Sequence, residues 1–188
     1  IFLQNFFLDL QYGHMKVDEF LEMGCTAVVV ENENGSITLG QNFDLEPDYE
    51  PVLSWVYHKV ANKPRVFSLR FGGILSAPIM ANENGVVCLT NMVQTNKTSN
   101  EVAIPASIIS RYAIERSTSK EELYNYMMTD GENTRKITSS FNLIMADNES
   151  FVGLQYLSGG NIRNRTGNQI VQTNRYIEEN NDWDEKYF

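Results

Sequence analysis

The order of patterns along this chain predicts an α+β fold with mainly antiparallel sheets. Two blocks of short strand-like runs flank a central pair of helical patterns, and Asn/Gly turns of the kind that close β-hairpins lie among the strands. A length of 188 residues favours one domain with a core of useful size. No internal repeat, low-complexity stretch or linker divides the sequence.

The first block of strands opens with a hairpin. A β-branched run at 26–31 and an alternating run at 36–41 flank the turn NENG at 32–35. This spacing predicts two paired antiparallel strands. Further strands are expected at 52–57, 66–71 and 86–90.

Two helices are predicted in the middle of the chain. Pro105 suits the first turn of a helix, and an apolar stripe at 108–114 follows it. Ser119 and Glu122 have the spacing of a capping box, which predicts the start of a second helix. Strands are expected again at 140–146, 151–156 and 169–173.

Composition excludes several classes of protein. The net charge of −9 and the lack of a basic run argue against nucleic-acid binding. No apolar stretch reaches the roughly 20 residues that span a bilayer, and no signal pattern is visible, so a cytoplasmic protein is favoured. Two cysteines and two histidines are too few for a disulfide scaffold or a Cys/His zinc site, and no metal or cofactor is expected.

Cys25 is the sharpest candidate for chemistry. It follows Gly24, where the apolar pattern of 1–24, read as a helix ending at that glycine, gives way to the first strand. A hairpin closed at 32–35 brings the beginning of one strand beside the end of the other, so Asp44 is expected near the Cys25 backbone. The competing interpretations are a small buried hydrophobe for Cys25 and a solvated turn residue for Asp44.

An ordered series of motifs resembles a known family. Cys25-Thr26 and the run GQNFD at 40–44 resemble the N-terminal nucleophile hydrolases of the choloylglycine-hydrolase-like superfamily. The nearest resemblance is to the acyl-coenzyme A:6-aminopenicillanic acid acyltransferase (isopenicillin N acyltransferase) family. It extends from Gly24 to about Tyr176 and includes FGGI at 71–74, MANENGV at 80–86, Asn91, the helix at Pro105, FNLIMAD at 141–147 and TNRY at 173–176.

The resemblance implies a four-layer αββα sandwich and a two-part organisation. Residues 1–24 would be a leader, and 25–188 the hydrolase domain, without the last part of the family's length. Autocatalytic cleavage of the Gly24–Cys25 bond would make Cys25 amino-terminal. Its α-amine, with a reference pKa of roughly 7.7–8, would act as base while its thiol forms a thioester with the substrate, so no catalytic histidine is required.

The resemblance also implies a role for each site residue. Cys25 would be the nucleophile and, through its amine, the general base, with Asp44 orienting it. The side-chain amide of Asn174 and the backbone N–H of Asn91 would stabilise the oxyanion. The chain is rich in asparagine, so a turn or surface position is the competing interpretation for both. Bile-salt hydrolases and acid-ceramidase-like relatives carry Arg where this chain has Gln41, which favours the acyltransferase-like branch.

These features predict a self-processing hydrolase with an amino-terminal cysteine. It would cleave a linear, non-peptide amide bond of a small N-acyl amide. Three questions stay open: whether the acyl group is transferred, whether acyl-CoA takes part, and whether the protein forms a homo-oligomer. The alternatives are an amidase of the bile-salt or N-acylethanolamine type, an unprocessed inactive precursor with a binding or regulatory role, and a thiol protease in which His58 serves Cys25.

Overall fold

The computed structural model describes residues 24–44, 47–75, 77–93 and 102–176. The predicted leader helix lies outside these residues except at its last position. Gly24 itself is the first residue of a strand and not helical, and the helix stop expected at this glycine stays a prediction. The strands are β1 (Gly24–Glu31), β2 (Ile37–Asp44), β3 (Leu53–His58), β4 (Val66–Phe71), β5 (Ile79–Asn82), β6 (Val87–Met92), β7 (Thr129–Asp130), β8 (Asn133–Thr134), β9 (Phe141–Ala146), β10 (Phe151–Leu157), β11 (Asn161–Arg165) and β12 (Gln169–Gln172). The helices are α1 (Ala106–Ile114) and α2 (Lys120–Met128), with a 3₁₀ helix at Pro47–Val52.

The described strands form three sheets. A three-stranded sheet has the order β12-β1-β2, a seven-stranded sheet the order β11-β10-β9-β6-β5-β4-β3, and β7 and β8 form a two-stranded ribbon. All these pairings are antiparallel, and an isolated bridge between Ile104 and Ile137 is parallel. The predicted α+β class with mainly antiparallel sheets is therefore confirmed.

The hairpin of β1 and β2 closes at the predicted turn. The glycine of the turn at 32–35 has a φ of 77°, a left-handed conformation that glycine adopts without the steric penalty of a Cβ atom. The register pairs Gly24 with Asp44 and Cys25 with Phe43. The beginning of β1 and the end of β2 therefore lie at the same edge of the three-stranded sheet.

Two hydrophobic cores enclose the seven-stranded sheet. One face packs against α1 and α2, and the other packs against the three-stranded sheet. All six residues of β9 are buried because this central strand is covered on both faces. The described residues thus form three layers, one of helices and two of sheets. The helix-side core includes Val66, Met80, Ile109, Leu123 and Met145, and the core between the sheets consists of Ala27, Val29, Leu89, Ile144 and Ile170.

The capping box at α2 forms only in part. The Ser119 hydroxyl accepts a hydrogen bond from the backbone N–H of Glu122 at 3.2 Å, as the pattern predicts. The Glu122 carboxylate instead accepts hydrogen bonds from the backbone N–H and the hydroxyl of Thr118, each at 2.8 Å. In a complete capping box, Glu122 would bond back to the N–H of Ser119. Here Ser119 caps the helix, and Glu122 bonds to Thr118 instead.

The NENG segment at 82–85 joins the sheet to α1. The buried side chain of Asn82 donates hydrogen bonds to the carbonyl oxygens of Ile114 at 3.0 Å and Ser117 at 2.8 Å. These are carbonyls that the end of a helix leaves without intrahelical partners. This motif therefore holds the carboxyl end of α1 against β5.

Candidate active site

Cys25 lies at the edge of the core between the two sheets. It is the second residue of β1 and is 8% exposed. Side chains alternate between the faces of a strand, so Cys25 shares a face with Ala27 and Val29, which pack in the core between the sheets. The thiol therefore belongs to the layer between the sheets and not to the helix side.

The backbone nitrogen of Cys25 contacts Asn174. This N–H donates a hydrogen bond to Asn174 Oδ1 at 2.5 Å, across 149 residues of sequence. Asn174 Nδ2 donates in turn to the carbonyl oxygen of Met92 at 2.7 Å. A single side-chain amide therefore connects the start of β1 to the end of β6.

Asp44 faces the backbone on the other side of the Gly24–Cys25 bond. A Cβ atom added to Gly24 would lie 3.0 Å from Oδ2 of the exposed Asp44, so this oxygen lies on the side of the glycine where a side chain would project. Asn42 Nδ2 lies 3.4 Å from the other carboxylate oxygen. The hairpin geometry expected from the sequence thus brings Asp44 beside the bond before Cys25.

The environment of Cys25 keeps its thiol protonated at neutral pH. Burial raises the pKa of this thiol to about 11, the negative charge of Asp44 also raises it, and the hydrogen bond with Asn174 opposes them. Burial raises the pKa of Cys88, in the helix-side core, to about 12. Since the thiolate is the nucleophile, attack by Cys25 requires a base at the moment of reaction.

Asn91 is part of an amide network that connects the two sheets. Its side chain is fully buried, and its Nδ2 donates to the carbonyl oxygen of Gln172 at 2.7 Å. Gln41 Nε2 donates to Asn91 Oδ1 at 2.8 Å and to the carbonyl oxygen of Thr90 at 2.9 Å. This network fixes the backbone of β6 at the position whose N–H was predicted to bind the oxyanion.

Asn142 supports the segment that carries Asn174, a role that sequence reasoning did not assign. Its Nδ2 donates to the carbonyl oxygens of Thr173 at 2.8 Å and Arg175 at 2.6 Å. The signal in the sequence is an amide residue inside an otherwise apolar run at 141–146. Because Asn142 is buried, loss of these hydrogen bonds would lower the stability of the fold, since a buried amide without partners is destabilising.

His58 lies apart from Cys25. Its strand partner Val66 packs in the helix-side core, on the face of the seven-stranded sheet opposite to the three-stranded sheet. His58 Nε2 lies 3.3 Å from Glu115 Oε1. Burial lowers the pKa of His58, and the positive charges of Arg111 and Arg70 lower it further. The geometry therefore gives no support to a His58–Cys25 pair.

The described residues offer neither a metal site nor a membrane-spanning helix. Within 24–44, 47–75, 77–93 and 102–176, no group of three or more His, Cys, Asp and Glu side chains could hold a metal ion. Neither of the helices in that part of the chain has the length and apolar character to cross a membrane.

A family model described as "Acyl-coenzyme A:6-aminopenicillanic acid acyl-transferase" matches residues 30–188. No curated protein matches the chain. Among solved structures, a Caenorhabditis elegans N-acylethanolamine-hydrolyzing acid amidase ortholog aligns over 79% of this chain and 69% of that chain, with 13% identity and a TM-score of 0.58. Two altered forms of the conjugated bile acid hydrolase from Clostridium perfringens align over 77% and 78% of this chain, with 12% and 14% identity and TM-scores of 0.55 and 0.52.

These likenesses show a shared fold. At identities of 12–14%, the solved structures confirm the predicted N-terminal nucleophile hydrolase sandwich and nothing finer. The chain spans about half the length of the bile acid hydrolase, 52%, and 69% of the amidase ortholog. The family match begins after Cys25 and includes Asp44, Asn91 and Asn174. Since the match covers most of the sequence, this chain belongs to the acyl-coenzyme A:6-aminopenicillanic acid acyl-transferase family.

Proposed function

We propose that this chain is a self-processing enzyme in which Cys25, once amino-terminal, cleaves a linear, non-peptide amide bond. The observation that supports it best is the 2.5 Å contact between the Cys25 backbone nitrogen and Asn174 Oδ1, with Asp44 against Gly24. That nitrogen is the atom that cleavage would release as the catalytic amine. Membership of the family supplies the reaction class, which is amide cleavage or acyl transfer.

The processing step needs only water as a co-reactant. The Cys25 thiol adds to the carbonyl carbon of Gly24, and its proton passes to the nitrogen of the same cysteine as the C–N bond breaks. The product is a thioester with a free α-amine. Water then hydrolyses the thioester and leaves a carboxylate at Gly24. Asp44 is suited to stabilise the amine as it gains a proton, because it pairs with Gly24 in the hairpin and its carboxylate lies beside that residue.

Release of the α-amine provides the base that the thiol lacks in the uncut chain. With a thiol pKa of about 11, little thiolate exists at neutral pH before processing. An α-amine with a pKa of roughly 7.7–8 is partly unprotonated there and can take the thiol proton as sulfur attacks the substrate carbonyl. Asn174 Oδ1 would orient this amine through the contact it makes with the same nitrogen in the uncut chain.

The amide groups around Cys25 are suited to stabilise the oxyanion. An asparagine amide carries two N–H bonds, and Asn174 uses one of them for the Met92 carbonyl. The second N–H is proposed to donate to the substrate oxyanion, together with the backbone N–H of Asn91. The hydrogen bonds of Gln41 and Gln172 hold Asn91 in place, so this donor would be fixed before the substrate binds.

A small N-acyl amide with an apolar acyl group is the proposed substrate. The two related enzymes are named for hydrolysis of N-acylethanolamines and conjugated bile acids. Phe43 pairs with Cys25 in the hairpin, and its ring meets that of Phe71 edge-on with centroids 5.6 Å apart. These rings offer an apolar surface beside the nucleophile. A reaction with acyl-CoA as the acyl donor, or with an amine in place of water as the acceptor, would pass through the same thioester on Cys25.

Intact-mass analysis tests this proposal. We expect the purified protein to contain a species beginning at Cys25, the Cys25→Ala variant to stay uncut, and the Cys88→Ala variant to be processed normally. Processed protein should hydrolyse a panel of N-acyl amides, and added hydroxylamine should divert the thioester to a hydroxamate. A fully active protein that keeps the Gly24–Cys25 bond would disprove the proposal.

A further inference from the structure

A cluster of charges lies on the helix-facing side of the seven-stranded sheet, away from Cys25. The Glu115 side chain, just after α1, is 9% exposed. Arg111 Nε donates to Glu115 Oε1, and Lys63 Nζ lies 3.3 Å from Glu115 Oε2. Burial raises the pKa of Glu115, but the hydrogen bonds and charges of Arg111 and Lys63 outweigh it and hold the pKa below its usual value. Glu115 is therefore a carboxylate with its charge compensated.

Arg70 adds a further positive charge close enough to interact with Arg111 and with this carboxylate. It lies on the same face of β4 as Val66, which packs on the helix side of the sheet. Its Nε is buried without a hydrogen-bond partner among the described residues. Burial lowers the pKa of Arg70, the charge of Arg111 lowers it further, and the charge of Glu115 opposes both. Two guanidinium groups thus lie near each other with one carboxylate to share.

We propose that Arg70, Arg111 and Lys63 bind the phosphate group of a small molecule. In the described part of the chain, these three cationic side chains share the carboxylate of Glu115, which leaves two positive charges in excess. A phosphate monoester or inorganic phosphate carries close to two negative charges at neutral pH, whereas a simple carboxylate carries one. A planar guanidinium also presents two parallel donors to such an oxyanion. Phosphate therefore matches the cluster in both charge and donor geometry.

The cluster is reachable from solvent. The side chains of Lys63 and Arg111 are 26% and 16% exposed, and Arg70 is half-buried. Partial burial strengthens an ionic hydrogen bond relative to one at an open surface. The site lies on the face of the sheet opposite to Cys25, so the inference is independent of the proposed amidase activity.

Titration with inorganic phosphate tests the proposal, with NaCl holding the ionic strength constant. We expect a saturable rise in the melting temperature of the full chain above pH 7. The Arg70→Gln variant should weaken this binding about tenfold or more, the loss expected for a charge-assisted hydrogen bond. Arg116→Gln is the matched control, because that guanidinium donates to the Tyr112 carbonyl and stacks 3.7 Å above the Tyr112 ring, outside the Glu115 cluster, and should leave phosphate binding unchanged.

Three outcomes would overturn the proposal. The first is no stabilisation by phosphate beyond that of NaCl, and the second is equal binding by wild type and Arg70→Gln. The third is equal stabilisation by acetate, which would assign the site to carboxylates. Without phosphate, Arg70→Gln should melt no lower than the wild type, because it relieves the repulsion with Arg111 and removes a buried Nε that has no hydrogen-bond partner among the described residues. Glycerol phosphate is a second probe. Binding of this monoester is expected, whereas a site that binds only inorganic phosphate would contradict the proposal of a small-molecule phosphate group.

Discussion

The two faces of the seven-stranded sheet use different polar chemistry. On the face toward the three-stranded sheet, neutral amides of Gln41, Asn91 and Asn174 connect the strands. On the face toward the helices, Glu115 and its cationic neighbours instead connect the end of α1 to β3 and to the loop after it, with full charges. A cation beside an amine would lower the pKa of that amine, whereas a neutral amide fixes position without adding charge. In the proposed mechanism, the proton chemistry of Cys25 is therefore left to its own amine and to Asp44.

The largest effect that separates the two faces is expected from Asp44→Asn. Loss of this carboxylate removes the group that would stabilise the amine released at Cys25, so processing and activity should both fail. His58→Ala, on the helix side, should process and turn over normally. Intact mass and the rate of amine release measure both variants. The reverse pattern would support a thiol protease that depends on His58.

A second large effect is expected from Asn174→Asp. This change keeps an acceptor oxygen for the Cys25 nitrogen and removes both N–H bonds of the amide, the one that donates to the Met92 carbonyl and the one proposed for the oxyanion. We expect kcat of processed protein to fall on the order of 10²–10³-fold with a small change in KM. Asn161→Ala, an exposed position on β11, is the control. An unchanged kcat would remove Asn174 from the oxyanion site.

A smaller effect is expected from Gly24→Ala. Its Cβ would lie 3.0 Å from Asp44 Oδ2 and would displace the carboxylate by a few tenths of an ångström. Processing should slow by about tenfold or less, since small misplacements at a reacting centre reduce rates. Mature protein should have wild-type activity, because residue 24 is removed. A time course of intact mass, followed by an assay of the purified mature form, checks both statements.

The smallest effect on activity is expected from Glu115→Gln, which tests the charged face. Removal of the carboxylate leaves Arg111 and Lys63 without their partner and should lower the free energy of unfolding by about 1–3 kcal/mol, less than for a fully buried pair, because both cations keep contact with solvent. Because the pKa of Glu115 is lowered in the folded state, the wild-type advantage should be full at neutral pH. It should disappear as the pH falls through that pKa. Glu121→Gln, at an exposed ion pair, should change stability little. Urea unfolding at several pH values measures this.

The sequence was sufficient for the parts of the molecule that depend on local patterns. The hairpin turn, the alternation of β1 and β2 and the pairing of Gly24 with Asp44 all follow from contacts within about twenty residues. The Ser119 cap also follows from a local motif. Polar β11 and the two-residue strands β7 and β8 have no apolar periodicity, so no pattern indicates them.

Local sequence patterns could not predict contacts between residues that are far apart in the sequence. Asn174 was selected only through a family resemblance, and no periodicity could show that its amide meets the Cys25 nitrogen 149 residues away. The same holds for the hydrogen bonds of Asn142 and for the charges around Glu115. These groups meet because the two sheets and α1 pack together, which is a tertiary property.

Alkylation of an active preparation tests the central claim most directly. Activity lost to iodoacetamide should match, one for one, the modification of a peptide whose first residue is Cys25 and whose α-amine is free. Peptide mapping by mass spectrometry identifies that residue and that amine together. Loss of activity with the modification on a peptide that still contains the Gly24–Cys25 bond, or on Cys88, would contradict the account.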